Sequence, residues 1–206
     1  MEIILTRHGE TDYNTQGIMQ GQLDSHLTPN GIKQAEVLAF ALKDKALDVI
    51  YTSKLSRSID TAKIVNKYHN VKLVKSNLLN ELSQGVYEGF KGEKMYRAHP
   101  KRDIELDFCP KGAESIRDFE KRLLKFVSKL PKKGSVLIVA HKGVNMILLN
   151  HFLGKPLIDW VKVKQDHTCI NLISFSNGGF KVEKTNDISH LKKNNVKKIK
   201  EVKGVY

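Results

Sequence analysis

Cysteine is scarce in this chain of 206 residues: Cys109 and Cys169 are the only two, and neither sits in a C-x-x-C pair. A disulfide framework, a cysteine-rich zinc site and dithiol redox chemistry are therefore excluded as organising features. Long apolar runs are missing as well. A membrane helix needs roughly 20 apolar residues, whereas the opening run Ile3-Ile4-Leu5 is cut short by Arg7 and cannot form the core of an export signal. The expected location is the cytoplasm, with no membrane contact. Acidic residues are outnumbered, 22 against 35 lysines and arginines, for a formal net charge of +13. Such an excess attracts anions of any kind: phosphorylated metabolites, nucleic acid or an acidic surface. A hydrophobic share of 40% and a charged share of 28% fit a globular protein and argue against a disordered or coiled-coil chain. The length is that of one domain with a substantial core.

Short apolar runs alternate with helical patterns, which predicts an α/β fold: a three-layer α/β/α sandwich around a mostly parallel sheet. Strands are expected at 2–6, 48–52, 71–74 and 136–140, and a hairpin at 168–176 and 180–185 around Asn177-Gly178-Gly179. Thr28-Pro29 reads as a helix N-cap with proline at the first position, followed by Ile32, Ala35, Ala39 and Leu42 on one face. A second helix after 52 carries Leu55, Ile59, Ala62 and Val65, with Ser53 as its expected cap. Ile116, Phe119, Leu123, Phe126 and Leu130 mark a third, ended by Pro131, and a fourth is expected from about 144 to 153. The domain should span 1–190. The remainder, 191–206, is a tail with six lysines and one glutamate, read as a solvated terminus unless it meets nucleic acid or a membrane surface.

In open parallel α/β sheets ligands gather at the carboxyl ends of the strands. Arg7-His8-Gly9 follows the first strand, Ser53 and Arg57 the second, and His141-Lys142-Gly143 the run 136–140. Two arginines and two histidines thus reach one sheet edge on separate segments. Arginine offers a planar fork of donors matched to phosphate oxygens, and helix starts add free backbone N–H groups. His26, His69, His99, His151, His167 and His190 do not share that position and read as structural or exposed. Other phosphate chemistries lack their motifs. There is no G-x-x-x-x-G-K-[ST] loop, no cysteine with an arginine six residues on, and no H-E-x-x-H or dense acidic cluster for a metal. No metal or cofactor is expected, and the candidate nucleophile is a histidine.

Across most of its length the chain resembles the histidine phosphatase superfamily, the group that contains cofactor-dependent phosphoglycerate mutase. The likeness runs through Leu5 to Thr11, Asn14, Gln20-Gly21, Asp24, Leu27-Thr28, Gly31, Gln34-Ala35, Tyr51 to Ser53, Arg57-Ser58 and Thr61-Ala62. It continues through Asn80-Glu81-Leu82, Gly85, Glu88-Gly89, Pro110 to Ser115 and Val139 to Gly143. The resemblance implies that His8 becomes phosphorylated, that Arg7, Arg57 and His141 hold the phosphoryl group, and that Glu81 moves the proton. Asn14, Gln20 and Gly21 would line the same pocket. For His8 to attack, one ring nitrogen must be unprotonated, so the other should donate to a backbone carbonyl.

The mutases are expected to carry an E-R-H-Y-G type sequence at Glu81 and a longer insertion before the second histidine. Here the chain reads Glu81-Leu82-Ser83-Gln84-Gly85, and only 59 residues separate Glu81 from His141. That resembles the phosphatase branch, acting on a small phosphorylated metabolite as a phosphoric monoester hydrolase. The mutase stays as the alternative, and a non-catalytic basic protein that holds phosphate or nucleic acid as a second. Residues 83–112 are expected to cap the pocket, with Tyr87, Phe90, Tyr96 and Phe108 either facing substrate or packing on one another. The stretch Pro110-Lys111-Gly112-Ala113-Glu114-Ser115 is similar to the family's P-G-G-E-S with one residue more. Which metabolite is bound, and the oligomeric state, are not legible in the sequence.

Overall fold

The computed structural model describes residues 1–193, so the lysine-rich tail from residue 194 onward lies outside the described residues. Six strands form one sheet: β1 (Glu2–Arg7), β2 (Val49–Thr52), β3 (Lys72–Lys75), β4 (Ser135–Ala140), β5 (Ile170–Ser176) and β6 (Gly179–Asp187). Their order is β3-β2-β4-β1-β5-β6. The first four are mutually parallel, and β5 runs antiparallel to β1 and to β6. Among the described residues seven α-helices accompany them: α1 (Asp12–Gln16), α2 (Pro29–Leu42), α3 (Ser56–Asn66), α4 (Gly92–Ala98), α5 (Ile116–Val127), α6 (Lys142–Phe152) and α7 (Ser189–Lys193).

The apolar runs 3–5 of β1 and 136–140 of β4 are fully buried because both faces of the sheet are covered. Along β1 the side chains alternate. Ile3 and Leu5 join a core with Phe119 and Phe126 of α5 and Val144 and Leu148 of α6. Ile4 points the other way, into a core with Leu38 and Ala39 of α2 and Ala62 and Val65 of α3. The sheet is thus the middle layer of three. Trp160, fully buried in a 3-10 turn after α6, donates its Nε1–H to the Asp103 carbonyl at 3.1 Å and pins the 99–108 segment to the body.

Local chemistry sets the helix starts. The Thr28 side chain accepts from Gly31 N–H with Pro29 at the first helical position, as its sequence predicts. Ser115 caps α5 through Asp118 N–H. Two starts differ from expectation. The N-cap of α3 is Leu55, without a side-chain bond, and Ser53 stays on the strand end, where its hydroxyl accepts from Leu55 N–H and reaches His141. Helix α6 begins at Lys142, which makes His141 its N-cap residue. The segment 83–112 is more regular than its glycine content implies: it holds a 3-10 turn at Gly85–Tyr87 and α4.

Gly31, in the first turn of α2, lies flat against the loop after β1. A Cβ there would strike the Glu10 carbonyl, and a Cβ at Gly9 would strike the Gly31 carbonyl. This close approach holds the turn after His8 against the helix. Gly31→Ala is expected to lower stability by about 1–3 kcal/mol, seen as a lower urea midpoint with an unchanged slope. A midpoint equal to wild type would show that the loop gives way freely.

Candidate active site

Five strands, β1 to β4 and β6, end at one edge of the sheet, and β5 begins there. The register of β1 on β4 pairs Arg7 with Ala140, and His8 N–H donates to the Ala140 carbonyl at 3.0 Å as the last rung. His8 and His141, each one residue past its strand, therefore stand side by side, their ring centroids 5.2 Å apart. Arg57 arrives on the first turn of α3, just past β2. Arg7, His8, Arg57 and His141 are all buried, at most 3% exposed, so the sequence's strand-end residues do converge.

His8 Nδ1 lies 2.7 Å from the Gly9 carbonyl. A carbonyl only accepts, so Nδ1 carries the proton and the lone pair is on Nε2. Burial, then Arg57, Arg7 and His167, hold the His8 pKa well below the ordinary imidazole value. The ring is neutral near pH 7, with one nitrogen free to attack. In His141, Nε2 is bonded to Ser53 Oγ at 2.8 Å, and Nδ1 is buried without a partner among the described residues. Nδ1 is the nitrogen left for a ligand. Burial, reinforced by Arg57 and His8, keeps His141 neutral too.

Backbone carbonyls orient both cations. Arg7 Nη1 donates to the Gln165 carbonyl at 2.9 Å. Arg57 Nη1 and Nη2 donate to the carbonyls of Leu23 and Gly21 at 2.7 and 2.8 Å. Burial lowers the Arg57 pKa to about 10, the group remaining charged at neutral pH. The carboxylates of Glu81, Asp24 and Glu88 act on the Arg57 charge through space and partly offset the cost of its burial. Glu81 is buried opposite: Leu82 N–H donates to its Oε1 at 2.8 Å and Gly143 N–H to its Oε2 at 3.1 Å. A Cβ at Gly143 would crowd Glu81 Oε1, so the glycine after His141-Lys142 is what admits the carboxylate to the α6 N-terminus.

Of the further expected pocket residues, Asn14 caps α1 together with Thr11. Gln20 is buried and accepts from Ser25 Oγ at 2.5 Å. Gly21, at a φ of 48°, contributes its carbonyl to Arg57. Asp24 accepts from Ser56 N–H at 2.7 Å, at the start of α3.

Two residues outside the expected set belong here. Glu88 Oε1 receives Gln22 N–H, Gln84 N–H and Ser83 Oγ–H at 3.0, 2.9 and 3.3 Å, tying the 83–88 segment to the 21–23 loop that holds Arg57. His167, read as structural or exposed, is buried beside His8, its ring 5.8 Å from that of His8 and its Nε2 3.0 Å from Asn14 Oδ1. The signal was available. An antiparallel strand begins at the edge where its parallel neighbours end, so residues before β5 deserved the same attention as residues after β1.

His99 links Tyr87 and Phe108, through a 2.9 Å hydrogen bond with Tyr87 and ring packing on Phe108. Tyr96 reaches Asp103. These rings serve packing within the 83–112 segment, while Phe90 is exposed under Lys94. A cavity of about 460 Å³ lined by Gln22, Asn80, Ser83, Glu114, Asp118 and Arg122 adjoins the Glu81 segment. No helix among the described residues is long and apolar enough to cross a membrane.

The sequence model of the histidine phosphatase superfamily (branch 1) matches residues 3–188. The chain is 31% identical over 194 residues to PhoE of Bacillus subtilis, an uncharacterized phosphatase, covering 92% of this chain and 96% of that one. It is 28% identical to phosphoserine phosphatase 1 of Hydrogenobacter thermophilus, covering 93% and 94%. Its fold superposes on the α-ribazole phosphatase of Shigella flexneri with a TM-score of 0.83 at 27% identity, covering 91% of this chain and 96% of that one.

Buried neutral histidines make stability depend on pH with a definite sign. His8, His141 and His167 are each depressed by burial first, whereas in the unfolded chain they titrate near about 6.5. Below that value the unfolded state binds protons that the native state refuses. Unfolding free energy should therefore fall with pH, by up to about 1.4 kcal/mol per pH unit for each such histidine. Thermal unfolding between pH 7.5 and 5.5 is expected to show a dropping midpoint, with His141→Gln giving a shallower decline than wild type. Parallel curves for the two proteins would contradict a neutral buried His141.

Proposed function

Because the chain belongs to the histidine phosphatase superfamily, branch 1, we propose that it is a phosphatase that hydrolyses a small phosphorylated metabolite through a phosphohistidine. The observation that carries this reading is the setting of His8: its Nδ1–H is spent on the Gly9 carbonyl, Arg57 and Arg7 are near enough to hold the ring neutral, and the His141 ring lies 5.2 Å away.

Phosphoryl transfer asks for an in-line nucleophile and fixed positive charge around the transferred group, with little other covalent help. His8 Nε2 attacks phosphorus while the bond to the leaving oxygen breaks, and Glu81 delivers a proton to that oxygen. The guanidinium groups of Arg7 and Arg57 and the free nitrogen of His141 bind the phosphoryl oxygens throughout. Water then attacks phosphorus, Glu81 takes its proton, and the P–N bond breaks to release inorganic phosphate and neutral His8. Asn14, Gln20 and the 21–23 loop complete the pocket wall, and residues 83–112 cover it. The polar cavity next to Glu81 suits a hydroxylated or charged leaving group, such as the serine or α-ribazole that the relatives' names imply. The mechanism assigns no step to a metal.

Hydrolysis of p-nitrophenyl phosphate in the presence of a chelator tests the reading. Wild type should turn over, His8→Ala should fall to background, Glu81→Gln should lose about 10²–10⁴-fold in kcat, and Arg57→Ala about 10²–10³-fold. Activity that survives His8→Ala would sink the covalent route. Interconversion of 2- and 3-phosphoglycerate without phosphate release, assayed in parallel, would replace the phosphatase by the mutase.

A further inference from the structure

We propose that His167 is a positioning residue of this pocket: its Nε2–H fixes the side-chain amide of Asn14 so that the Asn14 NH2 group faces the phosphoryl group held at His8. The inference rests on reading the pocket as a phosphate site, and adds a residue that neither the strand-end pattern nor the family resemblance assigns.

The hydrogen-bond chemistry is determined by one obligatory donor. Asn14 Oδ1 lies 3.1 Å from Thr11 N, 2.8 Å from Thr11 Oγ1 and 3.0 Å from His167 Nε2. A backbone N–H can only donate, so the amide atom facing Thr11 N is the oxygen. His167 Nε2, facing that same oxygen, must then carry a proton. The oxygen's lone pairs are taken, and the NH2 group on the same carbon is turned away from the cluster with no acceptor among the described residues. It is a donor kept for a ligand.

His167 is held more firmly than a packing residue requires. Its neighbour Thr168 adopts a φ of 50°, unfavourable for a β-branched side chain, and Thr168 N–H donates to the Arg7 carbonyl at 3.0 Å. Asp166 N–H is bound by Asn186 Oδ1 at 2.7 Å, and the Gln165 carbonyl receives Arg7 Nη1. The 165–168 loop is therefore fastened to β1 and β6, with a strained residue adjacent to the imidazole, the kind of outlier that collects at functional sites. Burial, with Arg7 and Lys142 nearby, keeps His167 neutral, so it has a single proton to give and Asn14 receives it.

Binding of inorganic phosphate, measured by calorimetry, separates positioning from packing without requiring turnover. His167→Phe keeps the ring but removes the donor, and is expected to weaken phosphate binding about tenfold, as is Asn14→Ala. The double variant should bind no more weakly than about twofold below Asn14→Ala alone, because both changes remove one interaction. His167→Gln, whose amide nitrogen reaches about as far as Nε2, should restore most of the affinity. Wild-type binding in His167→Phe, or a double variant that loses the product of the two single effects, would overturn the proposal. Should the phenylalanine variant not fold, the Asn14 side-chain NH2 resonances of wild type decide: a shift on adding phosphate supports the role, and no shift refutes it. If wild type binds phosphate but never hydrolyses p-nitrophenyl phosphate, the phosphatase reading fails and this one is still tested. If wild type binds no phosphate, this one fails.

Discussion

The parallel pairing of β1 with β4 is the constraint on which the site depends. It places Arg7 opposite Ala140 and ends with His8 N–H on the Ala140 carbonyl. One residue beyond that rung on each strand stands an imidazole, and no loop has to be ordered to bring them together. Because the strands are buried on both faces by the two cores, a register slip would exchange the faces of an entire apolar strand. The spacing of the two histidines is thus protected by the same burial that stabilises the domain.

Charge and burial act together at that edge. Two guanidinium groups in a dry site would repel an imidazolium strongly: at an effective dielectric of about 20, a unit charge 6 Å away costs about 3 kcal/mol, roughly a hundredfold in the protonation equilibrium. Burial adds to this, and the outcome is three neutral imidazoles among fixed cations. The cations are oriented by carbonyls of Gln165, Gly21 and Leu23, which fix their position at the edge of the sheet. The site costs the free protein some stability and suits it to a dianion.

Much of this was legible in the sequence. Unbroken apolar runs revealed the central strands, Thr28-Pro29 the start of α2, and the residues after three strands revealed His8, Arg57 and His141. What escaped has physical reasons. Ser53 looks like a helix cap because serine commonly caps, yet its hydroxyl is drawn to His141, and Leu55 takes the cap position. His167 lies outside the strand-end pattern because that pattern marks strand exits, whereas β5 enters the same edge. Glu88 shows no local pattern at all: its three donors come from Gln22, Ser83 and Gln84, and the Gln22 contact is visible only in three dimensions.

The central claim is that one imidazole carries the phosphoryl group. Rapid acid-free quenching of the protein during turnover of a phosphorylated substrate, followed by peptide mapping under mildly basic conditions that preserve phosphoramidates, addresses it directly. The account predicts a phosphate on His8, at Nε2, that decays at the rate of phosphate release. Turnover with no phosphorylated histidine, or with the label on another residue, would contradict it.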